Sequence, residues 1–157
     1  FMRVIGRLHS HLVPGTESAL EPAVRAIDQV LVVLGEELFV KNIRSFIGLL
    51  HACWGFEKVH YRKGVAYVQG SFLRTLAKIF SEHSDFWASE TNDRVFSVDA
   101  KLQARVGKIA VSDPSMVQLA GAGGQASQIL RQMIIEQLQS GRGGKPLTLR
   151  LRKGGVA

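Results

Sequence analysis

Lys58, His60, Arg62 and Lys63 fall within six residues, with Tyr61 among them and Tyr67 just beyond. Lysine and arginine supply charge-assisted hydrogen bonds to phosphate oxygens. Tyrosine rings offer faces on which unpaired bases can stack. Lys41 and Arg44 precede this group, three residues apart. A second basic group, Arg142, Lys145, Arg150, Arg152 and Lys153, is spread among glycines near the end of the chain. Arginine and glycine mixtures of this kind can fold onto RNA or DNA. The chemistry shared by both groups is neutralisation of a polyanion's backbone with release of its counterions. These residues form the expected nucleic-acid-contacting set.

Other constellations carry weaker chemistry. His51 and Cys53 lie two apart, so on a helix they face different ways and cannot form a thiolate–imidazole pair with each other. Ser81, His83 and Asp85 are local neighbours, whereas catalytic triads are assembled from distant segments. They are read as a polar helix end. The run Gly121-Ala122-Gly123-Gly124-Gln125-Ala126 follows the G-x-G-x-x-(G/A) spacing that lets a pyrophosphate approach a helix N-terminus. No acidic residue for a ribose stands about twenty residues on, near Gly141 and Arg142. No cofactor is therefore expected.

His9 and His11 lie two residues apart, so on a strand both face one side and both can reach a zinc ion. The surrounding run IGRLHSH resembles the metal-binding strand of the JAMM-type zinc isopeptidases, which continues to a serine and an aspartate. Here the spacing to Ser18 is one residue short, Glu21 stands in place of the aspartate, and no upstream strand carries a catalytic glutamate. The likeness covers about ten residues of the chain, and no catalytic or metal-ligating role is carried over from it.

Composition bounds the rest. A chain of 157 residues, 46 % hydrophobic and 21 % charged, fits one domain with a sizeable core. Twenty Lys and Arg against 13 Asp and Glu leave a net charge of +7, which favours polyanionic partners. The single cysteine, Cys53, excludes an internal disulfide and suits a reducing cytoplasmic or nuclear setting. The densest apolar run, Val30 to Leu34, is ended by Glu36 and Glu37, so no membrane span is expected. The chain opens on Phe1 and Met2 with no uninterrupted apolar signal core.

The elements follow from periodicity. Ser18, Glu21 and Pro22 open a helix expected from Ala19 to Leu34, with Gly35 as its stop. A second helix is expected over Val40 to Trp54, burying Ile43, Phe46, Ile47, Leu50 and Trp54 and placing Lys41, Arg44 and His51 on another side. Alternation over Glu57 to Gln69 predicts a basic β-hairpin turning at Lys63-Gly64. A helix over Ser71 to His83 should bury Phe72, Leu76, Ile79 and Phe80, with Arg74 and Lys78 outside. Asp85 to Asp93 reads as a loop anchored by Phe86 and Trp87, and Arg94 to Val98 as a short strand. Asp99 caps a short helix running to Ile109, and Asp113-Pro114 reads as a turn. Gln125 to Gln139 is a helix with Ile129, Leu130, Met133, Ile134 and Leu138 on one face and Arg131 and Glu136 outside. Leu147, Leu149 and Leu151 alternate with Thr148, Arg150 and Arg152, the pattern of a strand with one buried and one basic face.

The expected architecture is α+β and mainly helical: one domain over 1–157, four to five helices, a β-hairpin and a short C-terminal strand, with 141–157 as a basic, glycine-rich end. A helix running into a basic hairpin resembles a winged helix in outline. The expected function is non-enzymatic binding of nucleic acid along its phosphate backbone. The alternative is a protein-interaction or homo-oligomerisation module built on the apolar helix faces.

Overall fold

A computed structural model describes residues 31–32, 34–55, 64–88, 94–140 and 146–150. The described chain is mainly helical. Five α-helices run in order: α1 Glu36–Trp54, α2 Gly70–Glu82, α3 Ala100–Gly107, α4 Pro114–Ala122 and α5 Ala126–Gln139. Two short 3₁₀ turns, Ala66–Val68 and Ser84–Phe86, flank α2.

Gly35 separates α1 from the helical residues before it, at φ 83°, a conformation that favours glycine. Glu36 and Glu37 then occupy the first turn of α1, where carboxylates complement the positive end of the helix dipole. Gly55 closes α1 in the left-handed region, its N–H bonded to the His51 carbonyl at 2.8 Å. Asp99 caps α3 by accepting from the Leu102 N–H at 2.7 Å. Asp113 and Pro114, expected as a turn, instead start α4. The Asp113 carboxylate accepts from the Ser115 and Met116 N–H groups, and Pro114 takes the first helical position, where its missing N–H costs nothing.

The core gathers around α2. Phe72, Leu76, Ile79 and Phe80 are fully buried, as the helical period predicts. Phe80 sits 4.1 Å from Phe86 and 5.8 Å from Phe96, ring centre to ring centre, and meets the edge of Phe46 at 6.0 Å. Such aromatic pairs add about 0.5–1.5 kcal/mol each beyond their area burial. From α5, Leu130, Ile134 and Leu138 complete the floor. Ile129, expected on that face, is 56 % exposed.

No β-strand forms among the described residues, which overturns the expected hairpin, the C-terminal strand and with them the winged-helix outline. The second hairpin strand, Val65 to Val68, is a 3₁₀ turn that leads directly into α2. Burial of Tyr67 against Trp54, with rings stacked at 5.5 Å, outweighs the period-two pattern, and the Ala66 N–H is taken by the Val111 carbonyl at 2.7 Å. Residues 57–63, the first strand and most of the turn, lie outside the described residues. Toward the C-terminus one isolated bridge joins Leu149 to His83, just beyond the last turn of α2. Leu147 is buried there while Leu149 is 66 % exposed, so the predicted common face does not exist. The expected strand at Arg94 to Val98 is likewise a single bridge, Phe96 to Trp87. Asn42, fully buried, holds this segment to α1. Its amide donates to the Arg94 carbonyl at 2.7 Å and accepts from the Phe96 N–H at 2.9 Å.

Candidate nucleic-acid interface

Of the expected contact residues, Lys41, Arg44 and Arg150 fall among the described residues. Lys58, His60, Arg62, Lys63, Arg142, Lys145, Arg152 and Lys153 lie outside them. Lys41 and Arg44 are exposed on α1, and their spacing of three places them on one side of the helix. Neither makes an ion pair or a hydrogen bond among the described residues, so both cations face solvent.

Both were expected on the outer side of the helix, although α1 buries a partly different face than its apolar period predicted. Phe39, Asn42, Phe46, Leu49 and Leu50 are buried, while Ile47 is 39 % exposed. The polar Asn42 belongs to the buried stripe because the Arg94–Phe96 backbone supplies both of its partners. A reading of apolar residues alone cannot find that. Behind the helix, the Cys53 thiol points at the Gln103 carbonyl at 3.6 Å, which sets α1 against α3.

Electrostatics differ on the two flanks of Lys41. An open hollow along the first half of α1 is lined by Lys41 and Arg44 but also by Glu36 and Glu37. On the other flank, a cleft of about 320 Å³ lies between α1 and the 95–98 segment, with Gln103 of α3 at its edge. Among the described residues Lys41 is the one charged residue lining this cleft, with Ser45, Gly48, Ser97 and Gln103 around it and the buried Leu49 and Phe96 behind. Ser45, Gly48, Ser97 and Gln103 were not legible as a group, because they come from three separate segments. The lone signal in the sequence was a glycine in the middle of a helical stripe.

Arg150 is placed elsewhere. Its guanidinium lies 4.0 Å from the centre of the Trp87 ring, and its backbone N–H donates to the Glu82 carbonyl at 2.8 Å. The cation therefore packs on Trp87, beyond the Ser84–Phe86 turn, and Arg150 is half-buried. Tyr67 is buried on Trp54, so it offers no face to a base.

The remaining constellations resolve into structural roles. Ser81 donates to the Lys78 carbonyl, the His83 Nδ1 pairs with the Ile79 carbonyl at 2.7 Å, and the Asp85 carboxylate accepts from the Thr148 N–H. Each side chain serves a different backbone group, so they form a polar helix end and not a relay. Burial pushes the Cys53 thiol up from its ordinary pKa, away from a reactive thiolate. The glycine run makes the turn between α4 and α5, with Gly123 and Gly124 at φ 65° and 54°. Carbonyls of that turn already accept from the N–H groups of Ala126, Ser127 and Gln128. Among the described residues no three His, Cys, Asp or Glu gather as a metal site, and His9 and His11 lie outside them. No helix among the described residues is long and apolar enough to cross a membrane.

None of the protein families, curated proteins or solved structures compared with this chain matches it.

Proposed function

We propose that this protein binds nucleic acid through its phosphate backbone and performs no catalysis itself. The observation that carries the reading is the pair Lys41 and Arg44, exposed side by side on α1 without an ion pair among the described residues, on a chain of net charge +7. A free, solvated cation contributes to polyanion binding by displacing a condensed counterion, whereas one already paired has less to gain. The basic residues of 58–63 and, Arg150 apart, those of 142–153 add to the same long-range attraction. This role belongs in the cytoplasm or the nucleus.

The test is fluorescence anisotropy with labelled duplex and single-stranded oligonucleotides between about 50 and 200 mM salt. The expected affinity falls steeply across that range. Replacing Lys41 and Arg44 together by alanine should lower the slope of log K against log salt by about 1.4 to 1.8, the release expected for two phosphate contacts on single or double strands. Undetectable binding at the lowest salt, or an unchanged slope in the double variant, refutes the reading as stated.

A further inference from the structure

The charges of the described residues are divided between structure and solvent. Asp99 and Asp113 cap their own helices, the Asp85 carboxylate holds the Thr148 N–H, and Glu136 accepts from the Gln132 amide. Glu82 takes both Lys78 and Arg131. The Arg105 Nε–H donates to the Leu138 carbonyl at 2.6 Å, and Arg150 lies over Trp87. Lys101 and Lys108 differ from these. Both are exposed on α3 and, like Lys41 and Arg44 on α1, make no ion pair or side-chain hydrogen bond among the described residues. Lys108 caps α3 with helical backbone, so the spacing of seven sets the two lysines on one side of the helix, about 10 Å apart along its axis.

The two helices run side by side in the same direction. Gln103 shares the cleft with Lys41, Ser45 and Gly48 in the middle of α1. One turn on, Gly107 lies beside Cys53 near the end of α1, where an added Cβ would stand 3.8 Å from the thiol sulfur. Gln103 and Gly107 thus face α1, and Leu102 and Val106 face the core. The helical period then turns Ala100 and Ala104 outward and puts Lys101 and Lys108 on the far side. On α1, the exposed Ser45, Gly48 and Ala52 adjoin Lys41. Between the cations of the two helices the surface therefore carries small, uncharged side chains. Glu36 and Glu37 stand at one end of it, in the first turn of α1.

Two features select the partner. Among the described residues no aromatic ring is exposed, so this face gives unpaired bases nothing to stack on. A protein interface draws its affinity from large buried anchors, and the side chains between these cations are too small to serve as any. A row of phosphates needs neither rings nor anchors, but cations and an unobstructed approach. Packed helices lie about 8–10 Å apart, so one run of backbone can meet both sets of cations. We infer that α1 and α3 form one face for the sugar–phosphate backbone of a duplex, with Lys101 and Lys108 as phosphate contacts alongside Lys41 and Arg44. This rests on the nucleic-acid reading above and adds to it a second helix and a preference: the duplex binds at least as tightly as the single strand.

The decisive variant of the full chain replaces Lys101 and Lys108 together by alanine. Its control replaces Arg74 and Lys78 on the outer side of α2, which removes the same charge from a different helix. Both, with the Lys41/Arg44 double variant, would be titrated with a mixed-sequence duplex and its single strand across a salt series, and thermal melting would confirm folding. In the Lys101/Lys108 variant the slope of log K against log salt for the duplex is expected to fall by about 1.8, the release for two phosphates. The α2 control is expected to keep the parent slope. An unchanged slope in the Lys101/Lys108 variant, with a lowered one in the Lys41/Arg44 variant, overturns the joint face and leaves the nucleic-acid reading standing. An equal fall in the α2 control overturns the face in favour of diffuse charge. A single strand bound tenfold more tightly than the duplex overturns the backbone-only assignment. Polyglutamate bound through Lys101 and Lys108, with no binding of either oligonucleotide, assigns the face to an acidic protein and sinks both readings, as does no binding of any probe.

Discussion

Asn42→Ala is the most exacting test of how this molecule is built. Asn42 is fully buried and makes two hydrogen bonds, to the Arg94 carbonyl and from the Phe96 N–H. Alanine removes both. The two ends left behind are not equal. Arg94 is exposed, so its carbonyl can turn to water. Phe96 is 1 % exposed, and its N–H is stranded in the aromatic core. A stranded buried donor costs about 1–3 kcal/mol, and the other bond is worth about 1 kcal/mol net. The sum is roughly 2–4 kcal/mol of stability, or a Tm lower by about 4–16 °C for a chain of this size. Urea unfolding followed by tryptophan fluorescence would measure it. The Trp87 ring meets the edge of Phe96 at 5.6 Å and so reports on this junction directly. The exposed neighbour change Lys41→Ala serves as a control and should stay within about 0.5 kcal/mol. If Asn42→Ala unfolds within about 0.5 kcal/mol of the parent, the Asn42 clamp is not what holds the 94–96 segment to α1.

Other changes separate structural cations from binding ones. Arg150→Ala should cost about 0.5–2 kcal/mol by loss of the contact over Trp87, read by chemical denaturation, and should leave the salt slope of oligonucleotide binding unchanged. A slope lowered to the same extent as in the Lys41/Arg44 double variant would contradict that assignment. Gly48→Ala should stabilise the protein by about 0.5–1 kcal/mol in thermal melts, since the helix gains propensity and the new methyl meets open space. A lower Tm would mean that the position is crowded. Burial raises the Cys53 pKa, so less of it is thiolate at pH 8 than of an ordinary cysteine, and a disulfide reagent should react more slowly with it than with glutathione. That rate should climb as pH rises further. A rate equal to glutathione's at pH 8 would show a more open, more acidic thiol.

What the order of residues determined alone is local. The stripe Phe72, Leu76, Ile79 and Phe80 specified α2 and its inward face, because burial on one side leaves a helical period that no neighbour needs to supply. Asp99 placed the start of α3 for the same reason: a cap bonds its own first turn. Arg74 and Lys78 on the outer side of α2 were equally legible. Where a residue's partner lies far along the chain, the pattern misled. Alternation at Val65–Val68 implied a strand, but the stacking of Tyr67 on Trp54 and the start of α2 at Gly70 made it a turn. Leu147 and Leu149 implied one buried face, but a strand needs a ladder, and among the described residues this segment has one isolated bridge, at His83. Arg150 read as a phosphate contact until Trp87 came beneath it. The inward face of α1 was decided by Arg94 and Phe96, which make a polar Asn42 a core residue and turn Ile47 outward. Lys41 and Arg44 lie on the outer side in either arrangement, as the helical period alone implied. Backbone partners more than fifty residues away chose the face that α1 buries.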